Sequence, residues 1–524
     1  MSSTFSGYYV ARSGIQAARS NLQITGQNMT NVNTPGYTRQ RVDTSTVGPC
    51  GSNMRYASSE IGIGWGVNCD GVSQLRDPYL DIQYRMKNAE AGNTGTVSDI
   101  LNDLENIYDE TKKDGITVQF QDFIKQLNSL ASTTTSYNED SVKGSARLLV
   151  SAFRNAAAQL SGIRDTQTKQ FKDTAIPKVN GLLDTIANLN KEIKAADVSG
   201  SPALELMDKR NSAIDELSQY VNIEVSSQSV DVGSGRSVSE LHIDLVSDGK
   251  KFNLVSDDSH NTFGTATAAD GTINLTLTDS KGKDVTYDGT NILSNKDITE
   301  GSFAGYLTML NENGEFDAAG GSERGIGYYQ KVLDKLASYF ADTMNAANST
   351  TSDINKPLFT QSDGTTTTGI TAANISLSEA WAKATDRYIT ATKQTSSSGP
   401  DDPNHNENIL SMVKKLSDTK TFTTNDDNVG GTTLFNASIQ SYISNISVSI
   451  LALQKNDVDR KDTTFNSTLN EIDTKRSAVS SVDVNEEGIN LIMYNQALTA
   501  SSRFMTTMDQ ALDTIINNMG IVGR

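Results

Sequence analysis

Long apolar runs are missing. No stretch approaches the ~20 residues that a membrane-crossing helix requires, and the first residues show no charged region followed by an apolar stretch of signal-peptide length. Taken alone, this suggests a cytoplasmic protein. Cysteine and histidine are nearly absent. Cys50 and Cys69 are the only cysteines, His242, His260 and His405 the only histidines, and no pair of them has the spacing of metal ligands. No metal and no other cofactor is therefore expected. The two cysteines could bridge or stay as thiols, and the sequence leaves both open. Basic charge is also short. Acidic residues outnumber basic ones by 63 to 45, a net charge of −18, which argues against a nucleic-acid or anionic-membrane partner for the whole surface.

What is present is a chain of 524 residues, with 36% hydrophobic and 21% charged residues and much Ser, Thr, Asn, Asp and Gly. That length predicts two to four domains, and that composition suits an elongated, hydrated protein. The charge is uneven. Residues 1–42 carry Arg12, Arg19, Arg39 and Arg41 with no acid, whereas residues 222–324 carry 17 acidic and 7 basic residues. The acidic block reads as a solvated face.

Apolar residues three and four apart predict helices through much of the chain. One stripe is Ile116, Phe120, Phe123, Leu127 and Leu130; others run from Leu149 to Ile163, Val179 to Ile193, and Tyr329 to Phe340. Long helices with one apolar stripe pack side by side, so a bundle is expected. Between about 222 and 302 the period becomes two: Leu241, Ile243 and Leu245, then Phe252 and Leu254, then Ile273, Leu275 and Leu277, with turns at Asp248-Gly249, Asp270-Gly271 and Lys281-Gly282. These are hairpins. Stretches at about 346–370 and 395–432 sustain no period and read as surface loops or a small irregular excursion. Helical spacing returns from Ile443. The chain therefore goes out along helices, makes a β region and returns along helices, which brings its two ends together.

The ends carry the strongest pattern. Tyr494, Leu498, Ser501, Met505, Met508, Leu512, Ile515 and Met519 repeat every seven residues, a coiled-coil seam. A second stripe of Ile489, Met493, Ala497, Ala500, Phe504 and Ala511 widens the apolar face beyond what one partner helix covers. Phe5, Tyr8, Ile15, Ala18 and Leu22 give a weaker N-terminal stripe, broken at Arg12. The two ends either form an antiparallel pair or dock separately on their own domain's core. The entropy of ordering them predicts terminal rods that are loose in the free chain and order when subunits stack.

The segment Asn28-Met29-Thr30-Asn31-Val32-Asn33-Thr34-Pro35-Gly36-Tyr37-Thr38-Arg39-Gln40-Arg41 ends the first helix: Pro35 disfavours helix at Thr34, and Pro35-Gly36 fits the middle of a type II turn. As a whole, this string resembles the signature of the flagellar axial proteins, the family of rod, hook and hook-associated subunits. Val482-Asp483-Val484-Asn485-Glu486-Glu487, followed by Asn490-Leu491-Ile492 and Tyr494-Asn495-Gln496-Ala497, is similar to that family's C-terminal motif. Here Asp483 and Asn485 reverse the commoner order, and Leu498 stands where an aromatic is usual. Gly62-Ile63-Gly64-Trp65-Gly66-Val67, Arg76-Asp77-Pro78-Tyr79-Leu80, Gln83-Tyr84-Arg85 and Asn406-Glu407-Asn408 resemble the hook-associated branch. The glycine run lacks a preceding strand and a following Lys-Ser/Thr, so it is no phosphate loop.

The resemblance implies a non-enzymatic structural subunit that joins hook to filament. Its implied partners are itself in a ring-like helical layer, the hook protein, the next hook-associated protein on the filament side, and an export chaperone on the C-terminal helix. It implies flagellum-specific type III export, hence an extracellular location on the flagellum after a transient cytoplasmic phase. The expected fold is α+β and multidomain: a terminal coiled-coil pair (1–45 and 481–524), an elongated helical bundle from both halves of the chain (46–221 and 325–480, with a loop excursion at 346–435), and an inserted all-β domain (222–324). The expected assembly residues are Phe5, Tyr8, Ile15, Leu22, Asn31, Pro35, Gly36, Tyr37, Asn490, Tyr494, Leu498, Phe504, Met508, Leu512 and Ile515. Two alternatives stay in view, another axial protein such as the hook subunit and a secreted hydrolase. For the second, no nucleophile, base and orienting group can be named.

Overall fold

The computed structural model describes residues 6–47, 65–108, 115–132, 139–200, 203–233, 236–247, 250–285, 292–294, 296–317, 321, 323–349, 356–391, 406–425 and 431–518. Phe5, Cys50, Gly62 to Gly64, Asp248-Gly249 and Met519 lie outside these residues. Helix α1 (Ser6–Thr30) is followed by a hairpin of β1 (Gln40–Thr46) and β2 (Val67–Gln74). Then come α2 (Pro78–Ile107), α3 (Ile116–Ala131), α4 (Asp140–Lys169), α5 (Ile176–Ser199) and α6 (Leu204–Tyr220), with one wide helical turn at Gln170–Ala175 joining α4 to α5. Asp77 caps α2 by accepting from the Tyr79 amide at 2.9 Å, and Pro78 fills the first helical position, where no amide hydrogen is needed.

The period-two segment forms two antiparallel sheets. One is β3 (Ile223–Gly233), β4 (Arg236–Ser247), β5 (Lys250–Ser256) and β6 (Ser259–His260); the other is β7 (Thr262–Thr267), β8 (Ile273–Thr278) and β9 (Ile292–Leu293). Leu241, Ile243, Leu245, Phe252, Leu254, Ile273, Leu275 and Leu277 are all buried. Helix α7 (Ser302–Asn311) falls inside the 222–324 span, and its Phe303 packs 5.2 Å from Phe171 and 5.5 Å from Phe263. The sheets thus share their core with helices. On α5, Asn190 Nδ2 donates to the Asp257 carbonyl at 2.7 Å, and Lys194 pairs with Glu240 at 2.6 Å.

The return path is α8 (Ile326–Asn348), β10 (Phe359–Gln361), β11 (Ile375–Leu377), α9 (Glu379–Lys383), α10 (Glu407–Ser417), β12 (Lys420–Thr423), β13 (Thr433–Ala437), α11 (Tyr442–Ser444), α12 (Ala452–Ser480) and α13 (Val484–Asp513). Helix α10 lies in a stretch read as loop. Its eleven residues are too few to sustain a visible period, yet Ile409, Met412 and Leu416 are buried. The bundle core centres on aromatic edges: Phe120 and Phe359 stand 5.1 and 4.7 Å from Phe340, and Trp381 stands 5.9 Å from Phe359. Helix α12 runs antiparallel to α2 on polar ties, Thr94 to Asp462 at 3.0 Å and Ser98 to Asp459 at 2.6 Å, with Ile472 its one buried residue.

One device recurs where helices meet strands. A helix asparagine offers its carboxamide as a short imitation of a strand, accepting from and donating to the backbone of a single residue. Asn28 does so to Gln40 (3.0 and 2.9 Å), Asn180 to Phe263 (2.8 and 2.9 Å), Asn311 to Ile273 (2.8 and 2.7 Å) and Asn345 to Phe359 (2.9 and 2.7 Å). Aspartate at these positions would lose the donor.

Candidate assembly face and its anchor

Helices α1 and α13 lie antiparallel. A Cβ added at Gly7 would sit 2.7 Å from Met508 Cε, one at Gly14 would sit 2.8 Å from Ser501 Oγ, and Asn28 Nδ2 lies 3.4 Å from Glu487 Oε1. Each step of seven along α1 or of fourteen is matched by an equal step back along α13, so the two helices keep one register over their common length. On α13 the covered positions are Glu487, Gly488, Asn490, Tyr494, Leu498, Ser501, Met505, Met508 and Leu512. Facing them, α1 presents Gly7, Ala11, Gly14, Ala18, Asn21, Thr25 and Asn28, alternately three and four apart and all small or polar. The glycines let α13 come close; larger residues at 7 and 14 would hold it off.

Of the expected N-terminal stripe Ala18 lies in this seam, and the other described members are displaced from it by one step. Ile15 and Leu22 are half-buried along its edge and Tyr8 is exposed, while Phe5 is outside the described residues. Tyr494, Leu498, Met508, Leu512 and Asn490 lie on the covered side of α13, whereas Phe504 and Ile515 are exposed. The second stripe of α13 is largely open within the described chain, with Ala500 and Phe504 bordering a groove against Val10 and Val67. Ile489 is 67% exposed, Phe504 43% exposed, and Met493, Ala497, Ala500 and Ala511 are likewise open.

The turn after α1 closes with a bond from the Tyr37 amide to the Thr34 carbonyl at 3.2 Å, and Gly36 has φ of 77°, as a type II turn requires at its third residue. Pro35 and Gly36 are exposed, while Asn31 is half-buried and donates to the Gln27 carbonyl at 3.0 Å. Beneath the turn the N-terminal and C-terminal motifs meet. Asn28, 1% exposed, receives the Tyr37 hydroxyl at 2.9 Å as well as the Gln40 amide; Glu487, 2% exposed, receives Arg39 Nε at 2.7 Å. A second Arg39 nitrogen reaches Glu486 at 2.7 Å, and the Arg39 amide donates to the Ser480 carbonyl at 2.8 Å. Burial alone would lower the Arg39 pKa, but its bonds to Glu486 and Glu487 outweigh that and raise it. Burial, reinforced by Glu205, Asp208 and Glu487, pushes the Tyr37 phenol up to about 12. Asp483 caps α13 by accepting from the Asn485 amide at 2.7 Å.

Helix α6 receives this unit. The Thr38 amide donates to Asp208 at 3.0 Å, Gln27 donates to Glu205 at 2.6 Å, Gln74 donates to the Leu204 carbonyl at 2.9 Å, and Gly36 lies against Ser212. Burial raises the Asp208 pKa against the opposing Thr38 bonds. Below it, Arg76 grips Asp81 with two bonds of 3.0 and 3.1 Å, and Arg85 and Arg476 share Asp215 at 2.8 and 2.6 Å. Arg476 also lies 3.9 Å over the Tyr84 ring. This balanced cluster ties the start of α2, the middle of α6 and the end of α12 together.

Sequence reasoning quoted Arg39, Glu486 and Glu487 but did not pair them, and it passed over Asp208, Asp215 and Arg476. The usable signal for the first three was four arginines in a segment without acids, opposite a Glu-Glu pair at a helix start. Among the described residues no helix is long and apolar enough to cross a membrane, and no group of His, Cys, Asp or Glu could hold a metal ion. Cys69 stands half-buried on β2.

The family profile described as the flagellar hook-associated protein FlgK helical domain matches residues 101–360. The flagellar hook-associated protein 1 of Bacillus subtilis (strain 168) is 26% identical over 537 aligned residues that span 100% of both chains. The protein of the same name from Escherichia coli (strain K12) is 25% identical over 356 residues, 66% of this chain and 57% of that one. A solved structure, that of the flagellar hook junction protein FlgK from Burkholderia pseudomallei, aligns with a TM-score of 0.40 and 20% identity over 54% of this chain and 45% of that one.

Proposed function

We infer function from the premise that this chain belongs to the family of flagellar hook-associated protein 1: it is a structural subunit of the bacterial flagellum that joins hook to filament and assembles through its terminal helices. The observation that carries the assembly reading is the second stripe of α13, an apolar face left open beside a seam that α1 already satisfies. A large exposed apolar surface on a water-soluble chain marks a contact surface. Homologues that are structural flagellar proteins favour mechanical work over catalysis.

In finer terms, we take residues 1–45 and 481–524 as the assembly unit, paired as a coiled coil, 46–221 and 325–480 as the rod that carries it, and 222–324 as a β-rich outward part. Neighbours would be further copies in a ring-like helical layer, hook protein on one side and the next hook-associated protein on the other. An export chaperone on α13 would cover the open stripe before secretion and keep it from self-association inside the cell. Among the expected residues, Tyr494, Leu498, Met508 and Leu512 hold the pair together, and Phe504 and Ile515 face neighbours.

The test is the pair Ile489→Asp and Met493→Asp, two exposed positions. The full chain should unfold at the wild-type urea concentration, yet cells carrying it should bear hooks without filaments by electron microscopy. Filaments of normal length and number would refute assembly through this stripe.

A further inference from the structure

We propose that Glu487, through Arg39 and Asn28, is the key that fixes the register of the α1–α13 pair. The face that α1 turns to α13 is small-residued throughout, so it has no large knob to mark one axial position. Sliding α13 outward by one heptad, about 10 Å, would set Ser501 against Gly7 and Tyr494 against Gly14. The seven-residue repeat keeps seam positions opposite seam positions in that alignment, with Tyr494 in place of Ser501 at Gly14. The opposite slide is blocked by the body, because only Ser481 to Asp483 separate α13 from α12. The outward slide needs roughly the first five or six residues of α13, Glu487 among them, to unwind, since an extended residue spans about 3.4 Å against about 1.5 Å in a helix.

What opposes the outward slide is charge and hydrogen bonding at the base. In the native register the Glu487 carboxylate is buried against Arg39 and beside Asn28, whose carboxamide is held by Gln40 and Tyr37. Arg39 cannot follow α13 outward, because its amide donates to the Ser480 carbonyl, its own carbonyl accepts from the Leu75 amide, and the paired strand β1 begins at the next residue. A slide would therefore pull Glu487 out of its helical turn and off Arg39 and Asn28, and breaking a buried, hydrogen-bonded ion pair in this way is strongly disfavoured. A single buried polar residue specifying helix register is a known physical strategy. The inference holds whatever molecules cover the outer stripe of α13.

Cysteine pairs read the register directly. A Cβ at Gly14 would lie 3.6 Å from Ser501 Cβ, within disulfide geometry. In the full chain with Cys50→Ser and Cys69→Ser, the Gly14→Cys/Ser501→Cys pair should oxidise, and the Gly7→Cys/Ser501→Cys pair should not. Adding Glu487→Leu should raise the 7–501 disulfide yield at least ten-fold, whereas Glu487→Gln, which keeps an acceptor for Arg39 and Asn28, should leave it at background. If Glu487→Leu fails to fold by circular dichroism, Arg39→Gln must raise the 7–501 yield instead. Wild-type behaviour of the releasing variant, formation of both pairs with Glu487 intact, or formation of neither, would each overturn the proposal.

Discussion

Gly14 and Gly26 sit in the same helix, and that makes a clean test of how closely α1 and α13 approach. A Cβ at Gly26 would meet nothing within 4 Å, whereas one at Gly14 would stand 2.8 Å from Ser501 Oγ. Gly26→Ala should therefore return only the helix-propensity gain, about 0.8–1 kcal/mol, roughly a five-fold slowing of amide exchange in α1 at 1.4 kcal/mol per decade. Gly14→Ala carries the same gain but forces the Ser501 hydroxyl aside, so the two should nearly cancel. Gly14→Val gains little from propensity and adds branched methyls into a packed seam, which costs about 1–3 kcal/mol. Exchange across residues 494–508 of α13 should then speed up by roughly ten-fold or more. Ser501→Ala combined with Gly14→Ala should uncover the propensity gain, because it removes the atom in the way. Hydrogen exchange with mass spectrometry on the full chain reads all four variants. If Gly14→Val and Gly26→Ala slow exchange alike, the helices are not in contact at residue 14, and the close-approach reasoning fails.

Other perturbations test other parts. Leu512→Asp places a carboxylate on the covered side of α13; the chain should remain soluble and secreted while filament growth stops, as counted on negatively stained cells. Asn345→Ala removes three bonds to the Leu358 and Phe359 backbone and leaves those buried groups unpaired, so unfolding in urea should come earlier by about 2–4 kcal/mol with an unchanged m-value. The raised pKa of Asp208 means that the folded chain holds the proton more tightly than the unfolded one. Its contribution is complete below the ordinary aspartate range and is lost as pH rises through the folded value. Wild type should therefore gain stability on acidification relative to Asp208→Asn, which still offers Thr38 an acceptor, and a loss relative to that variant would reverse the sign argued here.

The legibility of the fold followed the size of the residues involved. Phe120, Phe123, Phe340 and Leu333 announced their helices because large apolar side chains at three-and-four spacing have few other uses, and Leu241 to Leu277 announced strands by alternation. On α13 the repeat of Tyr494, Leu498 and Met508 was equally plain. The matching surface of α1 was not, because Gly7, Ala11, Gly14 and Asn21 give no hydrophobic signal; close packing there comes from what the side chains lack. The asparagine clamps were invisible for a related reason: Asn reads locally as a turn former, and only the fold shows that Asn180 and Asn311 imitate strands. The anchor was half-legible. Its members stood inside the two quoted motifs, but pairing residues more than 440 positions apart requires the body that brings them together.

That separation sets an order of events. Helix α1 leaves the ribosome long before the helix it lies against, which begins only at Val484. At ordinary synthesis rates of about 5–20 residues per second, α1 waits roughly 25 to 100 seconds for its mate. The two rods can therefore close only after α13 has been made, so a ribosome product cut short anywhere before residue 484 would carry an unmatched first helix and no means of completing it.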